Sequence, residues 1–182
     1  MIFSFPFIKP ARIATRLSLV LLASIITLGA EPLHGTQRLH AQDMGIAVGE
    51  IAPGGPLETL DGKTVDLSRY LGEGPTVLEF WATWCENCRK LEPAMRAAMS
   101  KYPEVRFVTV AVSVNQSLER VKAWQQQFKL PGELLYDRKG TVSGGFDVPA
   151  TSYVVVVDKS GKVVYTGVGG SQNLDAAIAK AK

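Results

Sequence analysis

The chain has 182 residues, of which 46% are hydrophobic and 20% are charged. That length and composition fit one globular domain with a leader, but not two ordinary domains. The formal net charge of +3 arises within residues 1–41, because the remaining 141 residues carry 16 basic and 16 acidic side chains. A neutral body argues against nucleic acid as a partner, since binding to phosphates requires an excess of lysine and arginine.

Counts of histidine and cysteine exclude several kinds of chemistry. Both histidines, His34 and His40, precede residue 41, and the chain has only two cysteines, Cys85 and Cys88. A body without histidine excludes Ser-His-Asp and Cys-His catalysis, as well as metal sites built on histidine. Two thiolates in one chain cannot complete a four-ligand zinc site. The chemistry must therefore depend on the two sulfur atoms, on carboxylates or on hydroxyl groups.

Residues 1–30 have the pattern of a signal peptide or an N-terminal membrane anchor. Residues 1–16 hold three positive charges and no negative one, and Leu17–Ala30 then runs 14 residues without a charge. An apolar run of this length is short for a bilayer span, which needs about 20 residues. Cleaved and uncleaved forms are both open, and each of them places the body outside the cytoplasm.

The rest of the chain divides into a linker and one folded domain. Residues 31–48 show no hydrophobic periodicity and are predicted to be a linker, which leaves 49–182 as the domain. Asp61-Gly62 is a hairpin signal between two β-rich segments, and strands and helices alternate after it. The predicted strands are Leu57–Leu60, Thr64–Leu67, Thr76–Trp81, Val105–Val114, Leu134–Tyr136, Tyr153–Val157 and Val163–Gly167, and the predicted helices are Cys85 or Glu86 to Lys101, Ser117–Phe128, Thr141–Phe146 and Leu174–Lys180.

This order predicts an α/β fold. A strand-helix-strand core followed by a hairpin favours a mixed central sheet with helices on both faces and an N-terminal β-hairpin. Ser68 is predicted to cap a short turn that ends at Leu71. Pro93 lies inside the first helix and is expected to kink it, because proline supplies no backbone N–H.

The two cysteines are spaced Cys-x-x-Cys, at the point where a buried strand leads into a helix. Cys85 is expected where the backbone N–H groups of the helix are unpaired and the helix dipole is positive. That position stabilises a thiolate and can lower the pKa of a cysteine from about 8.5 to about 3.5–7.5. Cys88 is expected to lie one turn deeper and to be less exposed, as a resolving partner.

A structural disulfide and half of a zinc site shared between two chains are the alternatives for this pair. Closing a four-residue loop stabilises a fold by roughly 2 kcal/mol, against about 3 kcal/mol for a 15-residue loop. A structural disulfide would be expected to span more of the chain. The strand-then-helix context therefore favours redox chemistry.

Glu79 stands in an otherwise apolar strand, six residues before Cys85. By alternation its side chain shares a face with Trp81. Burial of a carboxylate is costly and raises its pKa. A buried acid beneath a dithiol can take a proton from Cys88 or return one, whereas the alternative is a glutamate exposed at a sheet edge.

At these residues the chain resembles the thioredoxin superfamily, most closely the TlpA/ResA-like thiol-disulfide oxidoreductases. The resemblance implies a thioredoxin-like domain, dithiol–disulfide exchange outside the cytoplasm without a cofactor, a membrane protein as electron donor, and commonly a role in cytochrome c maturation. It covers about Gly49 to Gly170 and rests on Gly49-Glu50-x-Ala52-Pro53, Asp61-Gly62-Lys63, Phe80-Trp81-Ala82-Thr83-Trp84-Cys85-x-x-Cys88, Pro93 five residues after Cys88, and Glu79 in the place of the superfamily's buried acid.

One departure from the family concerns the proline that lies opposite the cysteines. The family places a cis-proline just before the strand that ends here at Asp158, and this chain has Ser152 at that position. A cis bond before a non-proline residue costs about 2.5–4 kcal/mol, which favours a trans bond and an altered groove. The alternative is a shift that lets Pro149 serve. Because the family's proline shields the dithiol from metals, we hypothesise that the reduced pair binds a metal, bridging two chains.

The substrate groove is expected beside the cysteines. Val148, Thr151 and Ser152 are predicted to line it, where backbone groups can pair with an extended substrate chain. Trp84 adjoins Cys85 and is expected to cover the disulfide.

The sequence thus predicts an exported or membrane-tethered thiol-disulfide oxidoreductase that reduces protein disulfides. Cys85 attacks, Cys88 resolves the mixed disulfide, and Glu79 assists proton transfer. The alternatives are a peroxiredoxin-like peroxidase and a non-catalytic thioredoxin-fold module that binds metal or protein. Against the peroxidase, the preceding threonine, Thr83, stands two residues before Cys85 rather than three, and no arginine occupies the groove position.

Overall fold

The computed structural model describes residues 44–130 and 132–182, so the predicted leader and most of the predicted linker lie outside the described residues. In the described part, seven strands and four α-helices follow one another in the predicted order. None of these helices has the length and apolar character that a bilayer span requires. The strands are β1 (Pro56–Thr59), β2 (Thr64–Asp66), β3 (Thr76–Trp81), β4 (Arg106–Val112), β5 (Glu133–Asp137), β6 (Tyr153–Val157) and β7 (Val163–Val168), and the helices are α1 (Glu86–Lys101), α2 (Leu118–Phe128), α3 (Thr141–Gly145) and α4 (Leu174–Ala179).

The strands form one mixed sheet in the order β2-β1-β5-β4-β3-β6-β7. The central strands β3, β4 and β5 are parallel, and the predicted hairpin β1–β2 extends the sheet by pairing antiparallel with β5. Because the central strands are parallel, their carboxyl ends meet at one edge of the sheet. The segments that follow Trp81, Val112 and Asp137 are therefore neighbours at that edge.

Helices cover both faces of the sheet, as predicted. Successive side chains of a strand point to opposite faces, so the buried strand β3 supplies two cores. Leu78 and Phe80 pack in the core that includes α2 and α3, whereas Val77 packs in the core that includes α1 and α4. Burying each such side chain stabilises the fold by about 1.5–3 kcal/mol, which holds β3 firmly between the two layers.

The turn after β2 differs from the sequence prediction. A 3-10 turn spans Leu67–Tyr70, and its cap is Asp66, whereas Ser68 was predicted. One oxygen of Asp66, Oδ1, accepts hydrogen bonds from the N–H of Ser68 at 2.9 Å and from the N–H of Gly55 at 3.2 Å. A carboxylate that satisfies two backbone donors is the stronger cap, so the prediction of Ser68 was wrong.

One of the central strands also differs in detail. Strand β4 ends at Val112, two residues earlier than predicted, because the chain turns there and the N–H of Gln116 donates to Ser113 O at 3.4 Å. Helix α1 spans Glu86–Lys101 with Pro93 inside it, as predicted.

The packed part of the chain begins earlier than the predicted boundary at residue 49. Ile46 is buried in the core, and its N–H donates to Phe146 O at 2.9 Å. Further along, Gly49 N–H donates to Val163 O, and Val163 N–H donates to Glu50 O, both at 2.8 Å. These few residues are too short a segment to produce a hydrophobic period, which is why the sequence placed 44–48 in the linker.

Candidate active site

The two cysteines form a disulfide at the start of α1. Their sulfur atoms lie 2.06 Å apart and their Cα atoms 5.3 Å apart. Cys85 is the N-cap of the helix, and its Sγ accepts a hydrogen bond from the backbone N–H of Cys88 at 3.0 Å. After reduction, the same N–H and the positive end of the helix dipole stabilise a negative charge on Cys85.

The two cysteines are buried to nearly the same extent, whereas Cys88 was predicted to be the less exposed. Cys85 is 4% exposed and Cys88 is 6% exposed. Both residues are thus buried, and the Sγ of Cys85 lies within hydrogen-bond distance of a backbone N–H of the helix. The closed disulfide is therefore shielded by the segments around it.

Glu79 is buried, as predicted, and lies in the middle of the sheet. Its neighbours in register are Thr109 on β4 and Val154 on β6. Within the described residues, Oε1 of Glu79 has no hydrogen-bond partner. Burial raises the pKa of Glu79 to about 8, and the negative charge of Glu92 adds to this effect. Near neutral pH this carboxyl group can therefore both hold and release a proton.

A cavity of about 30 Å³ brings Glu79 and Cys88 to a common space. Trp81 also lines it, and Trp81 Nε1 is a second buried polar atom without a partner in the described part of the chain. A cavity of this size with polar groups in its wall can hold a water molecule, since about 10–15 Å³ is enough for one. A proton can thus pass between the carboxyl group and the sulfur through water.

Ser152 occupies the position of the family's proline, directly before β6. No peptide bond among the described residues is cis, so the bonds before both Ser152 and Pro149 are trans. Ser152 is fully buried and has a φ of 63°. Its N–H donates to Phe80 O at 2.8 Å, and its C=O accepts from Gly169 N–H at 3.0 Å. The prediction that Ser152 presents backbone groups to a substrate is therefore wrong, because β3 and the segment after β7 already use those groups.

The other predicted groove residues are accessible. The backbone N–H of Ser152 donates a hydrogen bond to Phe80 O near the end of β3. The preceding residue, Thr151, therefore lies beside the segment that leads from β3 to Cys85. Thr151 is half-buried, and no residue in the described ranges forms a hydrogen bond with its backbone N–H or C=O. Val148 is also half-buried.

Trp84 contributes an exposed apolar surface next to Cys85. It is 41% exposed, and its Nε1 donates to Val114 O at 2.8 Å. Val114 is 59% exposed. Together these two side chains form an apolar flank of the site, which we call the Trp84–Val114 flank.

Two residues near the cysteines were missed at the sequence level. Gln116 accepts a hydrogen bond from the backbone N–H of Thr83 at 2.8 Å, although no motif marks this glutamine. At Gly170, a Cβ would lie 2.9 Å from the carbonyl oxygen of Asn87, which stands between the cysteines. The adjacent glycines 169 and 170 were the signal of a close approach at this point.

Metal ligands are sparse around the pair. Among the described residues, no group of three or more histidine, cysteine, aspartate or glutamate side chains could hold a metal ion. A metal on the reduced dithiol would need ligands from a second chain, as the hypothesis from the sequence requires.

A Cys-x-x-Cys pair that caps a helix directly after the central strand of a mixed sheet defines a thioredoxin-fold protein with a dithiol–disulfide site. The chain belongs to the AhpC/TSA family, which matches residues 48–166. The relatives of this chain confirm its resemblance to TlpA/ResA-like proteins.

Three relatives illustrate the likeness. The thiol-disulfide oxidoreductase ResA of Bacillus cereus (strain ZK / E33L) is 29% identical over 145 residues, which cover 80% of this chain and 83% of that protein. The thioredoxin-like protein YneN of Bacillus subtilis is 31% identical over 136 residues, with 73% and 78% covered. The crystal structure of a putative thiol:disulfide interchange protein DsbE from Chlorobium tepidum has a TM-score of 0.67 and 26% identity, and the match covers 75% of this chain and 98% of that chain.

Proposed function

We propose that this protein is an extracytoplasmic thiol-disulfide oxidoreductase that reduces disulfides in other proteins. The observation that carries the proposal is the Cys85–Cys88 disulfide at the N-terminus of α1, with Cys88 and the buried Glu79 lining one cavity. The relatives named as a thiol-disulfide oxidoreductase and a thiol:disulfide interchange protein support the same activity.

The first step begins from the reduced pair. The thiolate of Cys85 attacks one sulfur of a substrate disulfide, and the other substrate sulfur leaves as a thiolate. The product is a mixed disulfide between Cys85 and the substrate. The hydrogen bond from Cys88 N–H and the helix dipole favour the attacking thiolate. The backbone groups of Thr151, which have no hydrogen-bond partner among the described residues, can pair with the substrate chain. Val148 and the Trp84–Val114 flank can contact its side chains.

The second step closes the enzyme's own disulfide. Cys88 gives its proton to the ionised form of Glu79 through the shared cavity, and the resulting thiolate attacks Sγ of Cys85. The Cys85–substrate bond breaks, and the second substrate sulfur leaves as a thiolate that takes a proton from solvent. Two electrons thus pass from the dithiol to the substrate, and the enzyme is left oxidised.

Glu86 supports the reducing direction. It directly follows Cys85, and the pKa of its exposed carboxyl group is lowered by the ion pair with Lys90, whose Nζ lies 2.8 Å from Oε1. Its negative charge disfavours a neighbouring thiolate. A pair whose thiolate is less stabilised prefers the disulfide state, which makes the reduced form an electron donor.

The leader and the relatives support a proposed location and proposed partners. The basic and apolar pattern of residues 1–30 supports export, either with a cleaved signal or with a retained membrane tether. Outside the cytoplasm the oxidised pair needs a source of electrons, which we assign to a membrane protein that carries its own dithiol. The resemblance to TlpA/ResA-like proteins supports cytochrome c maturation as the process in which we place the substrate.

A trapping experiment tests the proposal. The reduced wild-type protein should reduce insulin, with a potential nearer to the roughly −270 mV of thioredoxin than to the roughly −120 mV of DsbA. Cys88→Ser should accumulate a mixed disulfide with insulin, because the resolving sulfur is gone. Cys85→Ser, the matched control, should not.

Other outcomes would contradict the proposal. Equal trapping by both variants would remove the assigned roles of the two cysteines. Faster turnover of hydrogen peroxide than of insulin would favour the peroxidase. Tight zinc retention without exchange would favour the binding module.

A further inference from the structure

Gln116 connects two segments that meet beside the disulfide. It lies in the loop between β4 and α2, where its Oε1 accepts the backbone N–H of Thr83 at 2.8 Å. Its Nε2 donates to the carbonyl oxygen of Val112 at the end of β4. Thr83 stands two residues before Cys85, so one side-chain amide ties the approach to the active cysteine to the neighbouring strand.

The glutamine is itself held in place. The hydroxyl of Tyr136, a buried residue of β5, donates to the carbonyl oxygen of Gln116 at 3.1 Å. The next residue of the cysteine-bearing loop forms a second tie, since Trp84 Nε1 donates to Val114 O. Two successive residues before Cys85 are therefore bound to the β4–α2 loop.

These ties act where the sheet no longer holds the chain. Pairing between β3 and β4 ends at Trp81, and α1 begins only at Glu86. Thr83 is buried in this interval, and its own hydroxyl finds no partner in the part of the chain that the structure describes. The amide of Gln116 and the indole of Trp84 therefore supply the side-chain hydrogen bonds that hold this loop, which carries the buried Cys85.

We propose that Gln116 is a positioning residue that slows the attack of small thiols on the disulfide and favours the reaction of the reduced pair with polypeptides. By holding the loop closed, it keeps Cys85 shielded from small thiols. By the same bond it keeps the Trp84–Val114 flank in place for the side chains of a protein substrate. The second half of this inference rests on the proposed function, whereas the first half does not.

Replacement of the glutamine by an apolar residue of similar length separates its hydrogen bonds from its volume. In Gln116→Met, reduction of the disulfide by dithiothreitol, followed by tryptophan fluorescence in stopped flow, should be faster by about two- to tenfold. Reduction of insulin by the same variant should be slower by a similar factor. Opposite changes in the two rates are a signature that general destabilisation does not produce.

Gln125→Met is the matched control. Gln125 also bridges two backbone groups, since Oε1 accepts Leu130 N–H at 2.8 Å and Nε2 donates to Leu130 O at 3.0 Å. It does so at the other end of α2, so both rates should stay within about twofold of wild type.

Several results would overturn the inference. Both rates moving in the same direction in Gln116→Met, or the two variants behaving alike, would leave Gln116 with a structural role only. A wild-type protein that does not reduce insulin would refute the proposed function, while the dithiothreitol rates would still decide the shielding role. Hydrogen exchange in the wild type needs no variant, and a Thr83 amide that exchanges as fast as an open loop would also refute the role.

Discussion

Glu79 is the residue whose environment does most to set its chemistry. A carboxyl group on the central strand of a sheet, covered by α1, has lost most of its hydration, so its neutral form is favoured. Its Oε1 is unpaired within the described residues and lines the cavity that Cys88 shares. The same burial that makes the residue costly for the fold places its pKa where proton exchange with a thiol is effective.

Replacement of this acid should change both catalysis and the dependence of stability on pH. With a folded pKa of about 8 against an ordinary value of 4.5, folded Glu79 keeps a proton that the unfolded chain loses. The free energy of unfolding of the wild type should therefore fall as pH rises from 4.5 to 8. In Glu79→Gln this fall, about 1.4 kcal/mol for each unit of pKa shift, should be absent, as urea titrations at a series of pH values would show.

Replacement of Glu79 should also slow the exchange reaction. Glu79→Gln should slow the resolving step at pH 7 by about 10²-fold, because the amide cannot accept the proton of Cys88. Glu104→Gln is the control, because Glu104 is exposed and paired with Lys182. Its resolving step should be as fast as that of the wild type. Unchanged exchange in Glu79→Gln across the pH range would exclude Glu79 from proton transfer.

Burial of Glu79 could be predicted because a single acid in an apolar strand is a local pattern. The state of Ser152 could not. Its φ of 63° and its complete burial depend on Gly169 and Phe80, which are far from it in sequence. Ser152 replaces a proline in the family pattern, but that replacement alone does not reveal where its backbone groups are directed.

At the scale of elements, apolar runs, turns and caps were enough to predict the strands and helices. Which strands pair with each other was harder to predict. Asp61-Gly62 predicted the hairpin of β1 and β2, but nothing local indicates that β1 pairs with β5, where Glu58 lies opposite Tyr136. Contacts of Gln116 and Gly170 with the cysteine-bearing segment likewise depend on long-range packing. They became visible only when the loops at the carboxyl edge were placed together.

The loop between β7 and α4 is held closely against the first turn of α1. A Cβ at Gly170 would lie 2.9 Å from Asn87 O and 2.6 Å from Lys90 Cβ, so part of the contact is with backbone. We expect Gly170→Ala to displace the first turn, to lower the free energy of unfolding by about 1–3 kcal/mol and to change the exchange rate. Urea unfolding and insulin reduction measure the two effects.

Gly144→Ala provides the comparison for this substitution. Nothing lies within 4 Å of a Cβ at Gly144, which is inside α3. Alanine is the better helix former by about 1 kcal/mol, so this variant should be as stable as wild type or more so. If Gly170→Ala behaved in the same way, the loop would not be constraining α1.

For the whole molecule, the disulfide contributes chemistry more than stability. Most of the side chains in the two cores are aliphatic or aromatic residues, and the disulfide closes only a four-residue loop. Reduction should therefore lower the free energy of unfolding by no more than about 2 kcal/mol. Typical domains have about 5–15 kcal/mol, so the reduced protein should stay folded.

Urea unfolding with and without a phosphine reductant measures this difference. The double variant Cys85→Ser, Cys88→Ser cannot respond to the reductant and reports any effect of the reagent itself. If the reduced wild type no longer unfolded cooperatively, the Cys85–Cys88 disulfide would be a structural bond that the fold requires.

The pairing of Gly49 and Glu50 with Val163 closes part of an outer edge of the sheet. An outer strand with free N–H and C=O groups is a template on which extended polypeptides add as an extra strand. Here Gly49 and Glu50 of the same chain pair with the beginning of β7, the outer strand on this side of the sheet. Another polypeptide cannot add as an extra strand at this part of the sheet, because the N–H and C=O groups there are already paired.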